Sequence, residues 1–217
     1  GWSSITQAVL PSGSSSLSFY YKDSKSGSVT VTVSDDSQAG VDNGLTNTSI
    51  NATLTAGAPS QLKIVSSAQS LQAGQKSNAI TITLQDQYQN TAKAQSLITV
   101  DLLSSSTGKF DTSVGGPFNG TVTTVTIPTD SSTASFYYKD PVAGTPLLRV
   151  SSVGLTDGTQ QETITWGAVS LLQLSTTPTT LTAGASSSAI LLKTFNAYGI
   201  QVPVSGSYQV TLISTHS

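Results

Sequence analysis

The sequence predicts an all-β chain made of tandemly repeated two-sheet sandwiches. Short blocks in which apolar and polar residues alternate carry this prediction, together with a density of β-branched residues that favours strands over helices and an internal repeat of about 110 residues. The blocks read AITITL at 79–84, LITVDLL at 97–103, TVTTVTI at 121–127 and VTVTV at 29–33. A strand turns successive side chains to opposite faces, so each block has one apolar face and one Ser/Thr face. No stretch shows a convincing helical period.

The repeat has two signatures. The hexapeptide SFYYKD stands at 18–23 and again at 135–140, an offset of 117, and its flanks match as LPSGSSSL against IPTDSSTA. A gapless alignment of 61–106 with 171–216, at an offset of 110, pairs Leu71 with Leu181, Ala73 with Ala183, Gly74 with Gly184, Ile80 with Ile190, Tyr88 with Tyr198 and Leu102 with Leu212. The difference of 7 residues fits a longer Gly/Asp/Asn-rich turn at 35–47 in the first copy.

These alignments divide the chain into the back half of a repeat at 1–58, a complete repeat at 59–168 and the front half of another at 169–217. Strands are expected in the complete repeat at 61–66, 79–86, 97–104, 121–127, 133–139, 146–153 and 160–166. Seven short strands separated by turn signals are the pattern of an immunoglobulin-like β-sandwich. The two halves are complementary except for ten residues equivalent to 108–117, a Gly-rich loop. A lone half would expose an apolar face and unpaired edges. Three arrangements are open: a piece of a longer tandem array, head-to-tail complementation between copies, and closure of the two halves within one chain. The last ranks lowest, because a complete domain lies between the halves.

Composition narrows the function. Hydrophobic residues make up 36% of the chain, enough for a core, but charged residues only 9%, against roughly 25% in ordinary soluble proteins. A net charge of −2 supplies no basic patch, so nucleic acid is not an expected partner. With no Cys, the chain has no disulfide, thiolate metal site or cysteine nucleophile. The absence of Met leads us to expect that Gly1 does not follow a start codon directly. No apolar run reaches the roughly 20 residues of a membrane span.

The pattern LKIVSSAQSLQAGQKSNAITITLQDQYQN at 62–90, with its Ala73-Gly74 and Asp86–Asn90 turns, and the later SFYYKD followed by Gly and an apolar strand, resemble bacterial and archaeal immunoglobulin-like surface repeats. That broad group includes invasin and intimin stalk domains and many surface-layer proteins. The resemblance covers nearly the whole chain and implies rigid spacers, lattice units or adhesin stalks.

No catalytic residue is assigned. The single histidine, His216, stands where the complete repeat has Ser106, and a His-assisted nucleophile needs a hydrogen-bonded partner. The acidic residues sit mostly in turns or at strand ends rather than paired across a cleft. Asp86 and Asn90 place oxygen ligands at alternate positions, which makes them weak calcium candidates. Their counterparts, Asn196 and Ile200, lose the carboxylate and the amide, so an Asp/Asn-rich turn between two strands is the better reading. Asp35, Asp36 and Asp42 could serve calcium between domains, without a supporting spacing. Phe19, Tyr21, Phe136 and Tyr138 are expected on the core face, and Tyr20 and Tyr137 outside, so neither Tyr pair forms one sugar-stacking platform. Trp2 and Trp166 align with Asn119 and Ala56 and belong to no shared site. Lys63, a candidate for a Lys-Asn crosslink, aligns with Gln173 and reads as an exposed lysine. Asn47, Asn51 and Asn119 head Asn-x-Ser/Thr triplets and are candidate glycan acceptors.

The expected function is a structural, non-enzymatic segment of an extracellular cell-surface protein, as filament subunit, surface-layer part or adhesin stalk. Its expected partners are copies of itself or neighbouring repeats, with surface glycans as candidates and no cofactor beyond the calcium above. A carbohydrate-binding or adhesive module, and an accessory domain of a secreted enzyme, are the alternatives.

Overall fold

In the computed structural model the described residues are 7–35, 44–176 and 180–215; His216, Trp2, Asp36 and Asp42 lie outside them. The chain is all-β and divides into two compact units, Gly1–Thr55 and Ala56–Ser217.

In the first unit, β1 (Gly27–Val33) and β2 (Thr48–Leu54) form an antiparallel hairpin, paired from Gly27 with Leu54 to Val33 with Thr48. The SFYYKD segment before it is not a strand, and Phe19 and Tyr21 are 47% and 46% exposed, contrary to the core position expected for them. In the second unit the equivalent Phe136 and Tyr138 have Ile80 and Phe110 as ladder partners, at positions to which the alignment gives no counterpart in the first unit.

The second unit holds the sandwich. Its strands are β3 (Gln61–Ile64), β4 (Ser70–Gln72), β5 (Ile80–Gln85), β6 (Ile98–Ser104), β7 (Lys109–Asp111), β8 (Thr124–Ile127), β9 (Thr133–Lys139), β10 (Leu147–Ser151), β11 (Gly158–Gln161) and β12 (Thr163–Thr165). One four-stranded sheet runs β3-β5-β9-β7 and the other β11-β10-β6-β8, with β4 and β12 as a parallel pair beside them. Strand alternation delivers the core: Ile80, Ile82 and Leu84 from β5, and Phe136 and Tyr138 from β9, face Val100 and Leu102 from β6, Val125 and Ile127 from β8, and Leu148 and Val150 from β10. Each such side chain contributes about 1.5–3 kcal/mol by leaving water. Phe110 fits between the β9 aromatics, edge-on to Phe136 at 5.6 Å and tilted against Tyr138 at 5.2 Å.

The expected strands coincide with β3, β5, β6, β8, β9 and β10 apart from their ends. The strand expected at 160–166 is in fact two, because Glu162 turns inward between β11 and β12, fully buried, and accepts hydrogen bonds from the Gln69 N–H and from Gln160 Nε2. β4 and β7 are strands that the sequence pattern does not announce. Each has three residues and a single large apolar side chain, Leu71 or Phe110, too few to show a period.

Tyr138 illustrates how the core satisfies its polar atoms. Its hydroxyl donates to Asp140 Oδ2 at 2.6 Å and pairs with Ser104 Oγ at 2.8 Å, while its backbone N–H donates to Ser77 Oγ at 2.8 Å. Burial, reinforced by the Asp140 bond, raises the phenol's pKa, so it stays a donor. In the first unit Tyr21 makes the same bond to Asp23, at 2.8 Å, without any core around it. That pair is two residues apart in sequence and needs no tertiary partner.

After the sandwich, β13 (Leu171–Leu174) and β14 (Leu192–Phe195) form an antiparallel hairpin. Its register, Leu171 with Phe195 to Leu174 with Leu192, reproduces that of β3 and β5, Gln61 with Gln85 to Ile64 with Ile82. Among the described residues no helix is long and apolar enough to cross a membrane.

Candidate functional site

The candidate site is the junction of the sandwich with the β13–β14 hairpin. It is built from a turn that occurs twice. After β5, Asp86 Oδ1 accepts the N–H groups of Tyr88 and Asn90, both at 2.9 Å, while the Asp86 N–H donates to the Asn90 carbonyl and the Gln89 N–H to the Asp86 carbonyl. After β14, Asn196 Oδ1 accepts from Tyr198 and Ile200 at 2.9 and 3.0 Å, with the same two backbone bonds, Asn196 to Ile200 and Gly199 to Asn196. Such Asx wiring is what short Asp and Asn side chains offer a turn. The φ of Gln89, +69°, matches the +74° of Gly199.

The turns differ at the remaining side-chain atom. Asp86 Oδ2 accepts the Gly57 N–H at 2.8 Å, fastening the turn to the segment that leads into β3. Asn196 Nδ2 instead donates twice, to the Trp166 carbonyl at 2.9 Å and to the Ala73 carbonyl at 2.8 Å. Gly57 and Gly167 are equivalent in the repeat. The peptide unit 56–57 therefore shows its N–H to a carboxylate, and the equivalent unit 166–167 shows its carbonyl to an amide. Gly167 lies at φ +76°, and Gly57 does not share that left-handed conformation.

The Ala73 carbonyl is held outward for this contact. The Ala73 N–H donates to the Thr165 carbonyl and the Gly74 N–H to the Asp140 carbonyl, each at 2.7 Å. Gly74, at φ +84°, lets the second turn come close: a Cβ there would stand 2.8 Å from both Ile200 Cγ1 and Tyr198 Cβ. Ile200 packs at the margin of the sandwich core, and Asn196 is 2% exposed.

Asp86 and Asn90, the calcium candidates, are thus brought together as hydrogen-bonding partners. Asn90 Nδ2 donates to both Asp86 oxygens, at 3.2 and 2.9 Å, so the carboxylate already meets three N–H groups and an amide, and a cation would have to displace them. Among the described residues no group of three or more His, Cys, Asp or Glu is placed to hold a metal ion. The Asn90 amide, followed by the backbone N–H groups of Gly57, Asn90 and Tyr88, holds the Asp86 carboxyl at a pKa of about 2 against the opposing effect of burial. A folded pKa below the unfolded one, about 3.9, means that this carboxylate stabilises the fold fully above about pH 4, and the contribution fades as the pH falls toward 2. Asp86→Ala is expected to lower the urea midpoint at pH 7 and to narrow the gap between midpoints measured at pH 7 and pH 2.5. An unchanged gap would refute this role.

The glycan candidates Asn47, Asn51 and Asn119 are all exposed. Asn51 lies on β2, where its Oδ1 accepts from Thr30 Oγ1 at 2.7 Å, and Asn119 Oδ1 accepts from the Thr121 N–H and hydroxyl. Tyr137 is half-buried at its place on β9, and Lys63 is exposed.

The fold is an immunoglobulin-like β-sandwich followed by a hairpin whose register matches that of β3 and β5. No family model matches the chain, and no curated protein matches it. Among solved structures it is similar to domains 4 and 5 of the surface-layer protein SbsC, with 20% identity over 64% of this chain and 58% of that one, at a TM-score of 0.34. A longer SbsC structure, residues 31–844, aligns at 18% identity over 84% of this chain and 21% of its own, with a TM-score of 0.36. A glycosyl hydrolase family 2 member from Bacteroides cellulosilyticus aligns at 12% identity over 57% of this chain and 16% of that one, with a TM-score of 0.40. The chain thus spans little more than half of the SbsC two-domain structure and about a fifth or less of the two longer ones. Superpositions at these scores carry no functional argument.

Proposed function

We propose that the chain is a structural segment of an extracellular cell-surface protein built as a tandem array of immunoglobulin-like repeats, in which complementary half-repeats, along one chain or between copies, complete one another. The observation that carries this reading is a paired contrast in burial. Ile80 and Leu102 are 0% and 6% exposed in the sandwich, while their equivalents Ile190 and Leu212 are 63% and 88% exposed. In the back half, Phe136 is fully buried and its equivalent Phe19 is half exposed. Ile80 and Phe136 are opposite each other in the ladder between β5 and β9, so a front half and a back half that closed on one another would place Ile190 opposite Phe19. Contacts of this kind are head-to-tail, and they propagate rather than close. A low-charge Ser/Thr exterior suits an extended coat or stalk, and glycans on Asn47, Asn51 or Asn119 would add to it.

The chain has no cysteine, which makes the test direct. The double variant Ile190→Cys, Phe19→Cys, oxidised at high protein concentration, is expected to give a ladder of disulfide-linked oligomers, and a Leu45→Cys, Phe19→Cys control is not. A monomer band alone, or equal ladders from both pairs, would sink complementation between copies.

A further inference from the structure

We propose that the Ala73–Gly74 turn is a docking surface that selects an asparagine turn in the following repeat, and that Asn196 with Ile200 forms the matching surface that locks the two at one angle. Such a joint holds whether or not the array lies at a cell surface and whether or not its half-repeats complement one another. Two carbonyls, of Ala73 and Trp166, converge on the side-chain atom of residue 196 that differs between Asn and Asp. One comes from the sandwich turn and one from the linker, so a single amide ties together three segments: the preceding repeat, the linker and the following hairpin. An amide supplies two N–H donors there, whereas a carboxylate would supply none and would set its charge against two carbonyl oxygens.

The chain itself contains the alternative. Asp86 occupies the same turn position and takes a linker N–H instead of a linker carbonyl, and residue 90, its companion, is Asn where the docked turn has Ile200. Of the three positions that face Ala73–Gly74 in the docked turn, Tyr198 keeps its counterpart Tyr88 while the other two are changed together: the donor becomes an acceptor, and the apolar side chain that reaches the core margin becomes an amide turned back onto Asp86. The orientation of the linker peptide follows the side chain, N–H toward Asp and carbonyl toward Asn. Position 196 thus determines specificity at the joint, and its partner is a backbone turn whose only side chains are a methyl group and a hydrogen.

The test uses the full chain with two spin labels, at Val153→Cys on the sandwich and Gln173→Cys on β13, both exposed positions. Pulsed dipolar spectroscopy should give a narrow distance distribution. Asn196→Asp at neutral pH should broaden it at least twofold, and lowering the pH to about 2.5 should narrow it again, because a protonated carboxyl regains one donor. Ile200→Asn, which leaves the Asx wiring intact, should broaden it as well, while Asp86→Asn should not. Amide protection of the hairpin from Leu171 to Phe195 is followed in parallel and should persist. A distribution as narrow in Asn196→Asp and Ile200→Asn as in the parent overturns the proposal, as does broadening of the first that does not respond to acid.

Discussion

Phe136→Ala is expected to destabilise the sandwich by about 3–5 kcal/mol, the range for a fully buried aromatic whose cavity cannot collapse. Phe136 is 0% exposed and holds Phe110 edge-on, and Ile80 stands opposite it in the ladder. The same substitution at Phe19, in the same hexapeptide, is expected to change stability by no more than about 0.5 kcal/mol in the isolated chain, since that side chain is 47% exposed. Urea unfolding followed by intrinsic fluorescence measures both. Comparable losses for the two variants at low concentration would mean that Phe19 has a core of its own, which the fold denies. A Phe19→Ala loss that grows with protein concentration would instead support completion by a second copy.

Gly158→Val should cost about 1–3 kcal/mol, the range for overpacking a close contact. A Cβ on Gly158 would lie 2.8 Å from the Leu62 carbonyl oxygen and 3.0 Å from Val150 Cγ2. The nearer atom is backbone, so no rotamer change relieves the clash. β11 and β3 belong to different sheets and meet at this edge, where the Leu62 N–H donates to the Thr156 carbonyl and the Thr156 N–H to the Ser60 carbonyl, both at 2.9 Å. Hydrogen exchange should therefore accelerate first at the Leu62 and Thr156 amides. Protection there equal to that of the parent chain would show that the edge accommodates the side chain.

These two sites mark different depths of legibility in the sequence. The inward position of Phe136 follows from strand period alone, because its neighbours on the same face, Ala134 and Tyr138, alternate with polar residues. Gly158 could not be read as a contact point, since the carbonyl it meets lies 96 residues away and leaves no local pattern. Glu162 was equally opaque. A carboxylate among strand residues reads as surface, and the Gln69 N–H, brought in by the parallel pairing of β4 with β12, joins Gln160 Nε2 in making its burial tolerable.

For the junction, the right residues stand out in the sequence with a different meaning. The alignment of Asp86–Asn90 with Asn196–Ile200 identified an Asp/Asn-rich turn between two strands and weakened a shared calcium site. It could not reveal that the variable side-chain atom leaves the turn altogether and reaches Gly57 in one copy, and Trp166 and Ala73 in the other.

By itself, then, the sequence determined the all-β class, the core faces of the long strands and the repeat, because strand alternation and self-similarity are properties of the chain's order. The tertiary structure alone decided which equivalent residues are buried and which carbonyls the Asn196 amide meets. Burial depends on whether the complementary strands are present, and a hydrogen bond across a joint depends on which carbonyls the fold brings within about 3 Å of one amide.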